Sequence, residues 1–183
     1  MNATALLKKQ HRKVEGIFEK LEKSRSDAQA LIASLANDLA AHMAIEQTIF
    51  YPAVRAIKPD LVGESYQEHA IAEIALKRLL STQPDDPTFK AKVTALKELI
   101  LHHVEEEEKE LFPAVEKQLE DDELEQLGKD MADAFDEAAE EGYQALLPEG
   151  LAASGDSVNQ ETVLPPRGTK NRRHGSGQRR SAQ

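Results

Sequence analysis

Apolar residues recur at intervals of three and four along four stretches of this chain, which predicts four amphipathic α-helices. The first stripe reads Leu7, His11, Val14, Phe18, Leu21. The second reads Leu31, Leu35, Leu39, His42, Glu46, Ile49, Ala53, with Ser26 and Asp27 as capping residues before it. The third reads Val62, Tyr66, His69, Glu73, Leu76, Leu80. The fourth reads Val93, Leu96, Ile100, His103, Glu107, Leu111, and opens after Asp85 and Asp86 with Pro87 in its first turn. Short connectors at 24–27, 58–60 and 81–86 suit antiparallel neighbours. The expected fold is therefore all-α, an up-down-up-down antiparallel four-helix bundle over about residues 3–118.

A fifth stripe, Leu124, Leu127, Met131, Phe135, Ala138, predicts an additional C-terminal helix over about 121–147. It is expected to pack back on the bundle or to form a contact in a homo-oligomer. From Pro148 the periodicity stops and Gly, Ser, Asn, Pro and Arg take over. Residues 148–183 are expected to be a disordered basic tail, and 1–147 the domain.

Composition narrows the function. Only Gly16 and Gly63 precede residue 128, and Ala, Leu, Glu and Lys dominate, which favours helices over sheets. With no Cys there is no disulfide framework, thiolate metal site, iron–sulfur cluster or cysteine nucleophile. Aromatic residues are 4% and Trp is absent, which argues against a stacking platform for bases or sugars. The net charge of −10 is a sum of unlike parts: residues 1–164 hold 17 basic and 33 acidic residues, whereas residues 165–183 hold six basic residues and no acid. Basic tails bind phosphate in a salt-dependent way, but a body at −16 repels it, so nucleic acid is not the expected partner. No apolar run reaches the roughly 18–20 residues of a membrane span, and the N-terminus lacks a signal-peptide core. The expected location is cytoplasmic, with no membrane partner.

Two segments match at an offset of 61 residues, LAAHMAIEQTIFYPAV from Leu39 and ILHHVEEEEKELFPAV from Ile100. Each places a Glu four residues after a His and a Pro six residues after that Glu. A looser match pairs Gln10-His11 with Glu68-His69, each followed by a Glu four residues on, Glu15 and Glu73. His11, His42, Glu46, His69, Glu73, His103 and Glu107 all fall on apolar stripes, which a bundle turns toward its core. An unpaired buried carboxylate costs several kcal/mol or becomes neutral. One His on an apolar stripe is ordinarily a hydrogen-bonded core residue; four, one per helix, with register-matched Glu partners, call for compensating cations. Residues four apart project to one side of a helix, so each His-x-x-x-Glu can offer a nitrogen and an oxygen to one site. Glu105, Glu106 and Glu108 are expected on a solvated face, and His102 on its shoulder. Pro52 and Pro113 are expected to set the helix ends at one mouth of the bundle.

This ordered set resembles the hemerythrin family, specifically the bacterial hemerythrin-like HHE cation-binding domain. Gln10-His11, His42 to Glu46 running to Phe50-Tyr51-Pro52, Glu68-His69, and His103 to Glu107 running to Leu111-Phe112-Pro113 carry the resemblance. It implies a non-haem centre of two iron ions, with manganese or zinc as substitutes. His11 and His42 would hold one iron, His69 and His103 the other, and Glu46 and Glu107 would bridge them. Oxygen-carrying members have a further His where this chain has Glu73, and a bridging carboxylate five residues after the fourth-helix His rather than four. An anionic carboxylate in place of an imidazole stabilises ferric over ferrous iron. The expected partners are therefore small diatomic ligands or peroxide that the centre binds or reacts with, rather than oxygen carried reversibly. An iron or oxygen sensor or an iron store is the alternative.

Overall fold

A computed structural model describes residues 1–23 and 27–147. The expected cap at Ser26 and the expected disordered tail lie outside the described residues. The described chain is all helical, with no strand. In order it forms α1 (Ala3–Lys23), α2 (Ala28–Ile45), a π-helical turn (Glu46–Phe50), α3 (Tyr51–Val54), α4 (Pro59–Leu80) and α5 (Phe89–Glu106). A second π-helical turn (Glu107–Leu111), α6 (Phe112–Gln118), α7 (Asp121–Glu141) and α8 (Tyr143–Leu146) complete it. None of these helices is long and apolar enough to cross a membrane.

The four long helices form a ring: α1 lies against α2 and α5, and α4 lies against the same two. The fifth predicted helix packs back, as α7, on α1 and α2. Its first turn holds Asp121, Asp122 and Glu123, which favour the positive end of the helix dipole. Glu120 and Glu123 close a reciprocal capping box ahead of it. Gly142 ends it at φ 81°, a left-handed value that glycine tolerates best, and Asn37 Oδ1 accepts the Tyr143 N–H at 2.9 Å to hold α8 on α2.

Helical spacing predicts Ile49 and Ala53 inside, and the structure corrects this. At each π turn one hydrogen bond spans five residues: the Tyr51 N–H reaches the Glu46 carbonyl, and the Phe112 N–H reaches that of Glu107. The extra residue rotates everything after it by about 100° relative to an uninterrupted helix. Phe50, Tyr51 and Val54 are consequently buried, while Ile49 is half-buried and Ala53 exposed. Pro52 and Pro113 do not end their helices. Each sits in the α-turn after a π turn, and the helix runs on to Val54 and Gln118 respectively. Pro52 has no N–H to donate, and the Gln47 carbonyl takes its bond from Tyr66 Oη instead, at 3.0 Å.

Two apolar clusters fill the ring. One gathers Phe18, Leu21, Leu35, Leu39, Leu76, Leu79, Phe89, Leu96 and Ile100. The other gathers Leu7, Ile45, Phe50, Tyr51, Val54, Leu111, Phe112, Val115 and Met131. Along each long helix the buried histidine falls between the residues of one cluster and those of the other: Leu7–His11–Phe18, Leu39–His42–Ile45, Val62–His69–Leu76 and Ile100–His103–Leu111. A polar layer thus separates two halves of an otherwise apolar core.

Gly128 on α7 is where the N-terminus passes closest. A Cβ there would stand 2.4 Å from the Met1 carbonyl oxygen and 2.6 Å from the Ala3 nitrogen. Gly128→Ala is expected to cost about 1–3 kcal/mol by overpacking, read as a lower thermal unfolding midpoint.

Candidate metal centre

Burying a charged group requires a partner for every polar atom. His11, His42, His69 and His103 come one each from α1, α2, α4 and α5, and all are buried. Glu46 and Glu107 are the first residues of the two π turns and are 0% exposed. The six side chains form two overlapping groups whose ligand atoms converge: His11, His42, Glu46 and Glu107, and Glu46, His69 and His103. Glu46 Oε2 lies 3.1 Å from His42 Nε2 and 3.3 Å from His69 Nε2, so it faces both groups. Glu107 Oε2 lies 3.4 Å from His11 Nε2 and 3.7 Å from His103 Nε2.

Each imidazole turns Nε2 inward and gives Nδ1 to an outer partner. His42 Nδ1–H donates to Gln10 Oε1 at 2.8 Å, and His103 Nδ1–H donates to Glu68 Oε2 at 2.7 Å. His11 Nδ1–H donates to Glu108 Oε1 at 2.8 Å, while the Gln47 amide nitrogen lies 3.1 Å from His69 Nδ1. The pattern follows the repeat. The residue just before each first-helix His (Gln10, Glu68) supports the His of the following helix. The residue just after each inner Glu (Gln47, Glu108) supports a first-helix His. Where Nδ1–H donates, as at His11, His42 and His103, the bond holds the ring and leaves Nε2 with a free lone pair for a metal; at His69 the same tautomer requires Gln47 to present its amide oxygen.

These outer partners went largely unread in the sequence. Glu108 is corrected from a solvated charge: it binds His11 and also pairs with Arg12. Glu105 does lie outside, paired with Lys109. Only the repeat offset could have pointed to Gln47 and Glu108, because neither residue type sits on an apolar stripe. His102 is 61% exposed, beside Glu68 and Glu106 and away from the inner groups.

Glu73 is not among the side chains the structure brings together. It is half-buried one turn beyond His69, where Ala72, Leu76 and Leu79 take the inward positions of α4. Tyr51 enters instead, unforeseen, carried inward by the π turn. Its Oη donates to Glu107 Oε1 at 2.9 Å and lies 3.2 Å from His69 Nε2 and 3.4 Å from His103 Nε2.

The electrostatics ask for positive charge. Burial and the neighbouring Glu107 push Glu46 well above the usual carboxylate range. Burial also opposes ionisation of Glu107, but the neighbouring His103 and His11 outweigh it and hold that carboxyl down. Burial, then His11, pushes His42 down, and burial with His103 takes His69 to about 3. Burial and the two carboxylates push the Tyr51 phenol up. With Glu46 pushed toward its neutral form beside Glu107, the layer does not carry both carboxylates ionised without added positive charge. His11 Nε2, Glu46 Oε1 and Glu107 Oε2 are buried with no hydrogen-bond partner. Nitrogen and oxygen donors with orphaned inward lone pairs fit divalent or trivalent cations of the iron, manganese or zinc kind.

Beside the inner atoms lies a cavity of about 10 Å³, room for one water-sized molecule. The four imidazoles line it together with Val14, Leu39, Met43, Ile100 and Val104.

The hemerythrin HHE cation-binding domain family matches residues 2–115. The chain belongs to that family. Its polar layer fits a metal-binding hemerythrin-like protein. This HHE domain is 30% identical over 129 residues to a DNA nickase of Nostoc sp. (strain PCC 7120), covering 69% of the chain and 37% of the nickase. The chain thus spans little more than a third of that relative. It is 26% identical over 156 residues to the uncharacterized protein Rv2633c of Mycobacterium tuberculosis, covering 83% of the chain and 96% of that protein. The crystal structure of an HHE cation-binding domain-containing protein from Mycobacterium kansasii superposes with a TM-score of 0.70 at 28% identity, over 77% of this chain and 89% of that one.

Outer partners of metal-bound histidines commonly contribute 10–100-fold in metal affinity. Glu108→Ala and Glu68→Ala are each expected to weaken metal binding by about that factor in a competitive chelator titration. Glu105→Ala, on the exposed face, is expected to leave affinity unchanged.

Proposed function

We propose that this HHE domain is a non-haem di-iron protein whose centre reacts with oxygen, peroxide or nitric oxide rather than carrying oxygen reversibly. The observation that carries this is the pair of overlapping His/Glu groups, joined through Glu46, at the wall of an apolar cavity sized for one small molecule. His11 and His42 would hold one iron, His69 and His103 the other, with Glu46 and Glu107 as the carboxylates shared between them. Manganese or zinc could take the same places. The chain's domain runs over 1–147 as an up-down-up-down four-helix bundle with α7 on its side, in the cytoplasm and without a membrane partner.

Bound iron supplies Lewis acidity and one-electron redox chemistry. The chain's own residues supply the rest. Gln10, Gln47, Glu68 and Glu108 fix the ring orientations, and two buried carboxylates offset the cationic charge. Val14, Leu39, Met43, Ile100 and Val104 make the space beside the histidines apolar and small, which disfavours bulky or polar substrates. The hard, anionic oxygens of Glu46 and Glu107 would favour the more highly charged, oxidised state of a bound metal. The nicking activity named for the Nostoc relative belongs to a much longer chain, and the acidic body here disfavours a phosphate backbone.

Freshly purified protein is expected to hold about two irons per chain, by metal analysis, with near-ultraviolet charge-transfer absorption. Glu46→Ala combined with Glu107→Ala should remove most of it; unchanged metal content would overturn the assignment. Chelation should lower the thermal midpoint of the wild type, because metal binds the folded state. In stopped-flow mixing of the reduced protein with oxygen or hydrogen peroxide, irreversible oxidation is expected. A species that gives oxygen back when its pressure is lowered would refute reactivity in favour of carriage. Inertness to both oxidants, with ready loss of iron, would favour the sensor or store.

A further inference from the structure

We propose that Glu68, His102 and Glu106 form a further cation site, outside the inner centre, that takes one divalent ion such as ferrous iron, manganese or zinc. Glu68 lies on α4, and His102 and Glu106 stand one turn apart on α5. Each offers one ligand atom, and the three atoms lie within 4.8 Å of one another. His102 Nε2 is 3.8 Å from Glu68 Oε1 and 3.6 Å from Glu106 Oε1.

Those separations are too long for hydrogen bonds, so the three side chains converge without binding one another. They are close to the edge of a tetrahedron around a metal, where bonds of about 2.1 Å put neighbouring donors about 3.4 Å apart. Among the described residues, Glu68 and Glu106 form ion pairs with histidines only. Glu106 Oε2 is buried with no hydrogen-bond partner. Glu68, 12% exposed, gives Oε2 to the His103 Nδ1–H at 2.7 Å and keeps Oε1 for His102. One carboxylate thus faces both the outer group and a histidine of the inner centre. An imidazole with two carboxylate oxygens suits a divalent ion of the first transition row. His102 is 61% exposed, so water can complete the coordination.

The repeat supplies an internal control. At the offset of 61 residues His102 and Glu106 correspond to Ala41 and Ile45, both buried, and Glu68 corresponds to Gln10 at an offset of 58. The other half therefore carries its inner ligands with no outer group. Support of an inner histidine needs only an acceptor, which the Gln10 amide supplies to His42. The charge of Glu68, the His102 imidazole and the Glu106 carboxylate are additions on one side.

The test is zinc binding to full-length, iron-loaded protein, read as zinc ions per chain after equilibrium dialysis. The wild type is expected to bind one zinc ion more than His102→Ala, which copies Ala41 of the other half. Glu106→Gln should lose the same ion, and it decides the matter should His102→Ala fail to fold. Glu105→Ala, on the exposed face, should keep it. Equal zinc binding by the wild type and these two site variants, or loss of the ion in Glu105→Ala as well, would overturn the site. The one-ion difference holds whatever metal fills the inner centre. Iron content far below two per chain would therefore overturn the di-iron reading and leave the outer site to be decided by that difference.

Discussion

The structure depends on one requirement: two carboxylates and four imidazoles lie in a layer between two apolar clusters, where water cannot solvate them. Left to themselves they cannot all adopt the forms in which they would be useful. Glu46 is pushed toward its neutral form by burial and by Glu107, while burial holds His42 and His69 in theirs. Bound cations would resolve the conflict, because each inward lone pair would then have a partner and each carboxylate a counter-charge. The same argument explains why the layer is thin. Outside the ring of Nε2 and carboxylate atoms the chain needs only one further set of hydrogen bonds, at Nδ1, before apolar packing resumes.

The two π turns are the means by which an ordinary helix delivers this layer. An uninterrupted α-helix would present residues three, four and seven positions after Glu46 on the face that Glu46 shares. One extra residue per turn brings the position five after Glu46, and likewise after Glu107, onto that face. In one half this position is Tyr51 and in the other Phe112, so two near-identical backbones present different chemistry to the two sides of the layer. The inequality lies in a single hydroxyl group.

Much of this was legible beforehand because helices repeat every 3.6 residues and buried polar residues on an apolar stripe stand out. His11, His42, Glu46, His69, His103 and Glu107 were all read on inward faces and all are buried. The fifth helix was read within a few residues, up to the break at Gly142. Misplacements came from two sources. Glu73 shared the stripe of His69 on paper, but Ala72 and Leu76 take the inward positions of that turn. Ile49 and Ala53 kept perfect helical spacing, and the π turns moved that face to Phe50, Tyr51 and Val54.

Periodicity, the 61-residue repeat and the absence of cysteine determined by themselves that the chain is helical and that nitrogen and oxygen donors gather in its core. Those are properties of single helices and of side-chain chemistry, so one dimension suffices to state them. Only the tertiary structure decided which residues stand behind the histidines, and that the Tyr51 phenol rather than Glu73 lies beside His69 and His103. Gln10 reaches His42, Glu68 reaches His103, Gln47 reaches His69 and Glu108 reaches His11 across helix boundaries, at distances set by packing. A hydrogen bond between helices depends on their separation and rotation, and a π turn resets rotation without leaving a periodic trace.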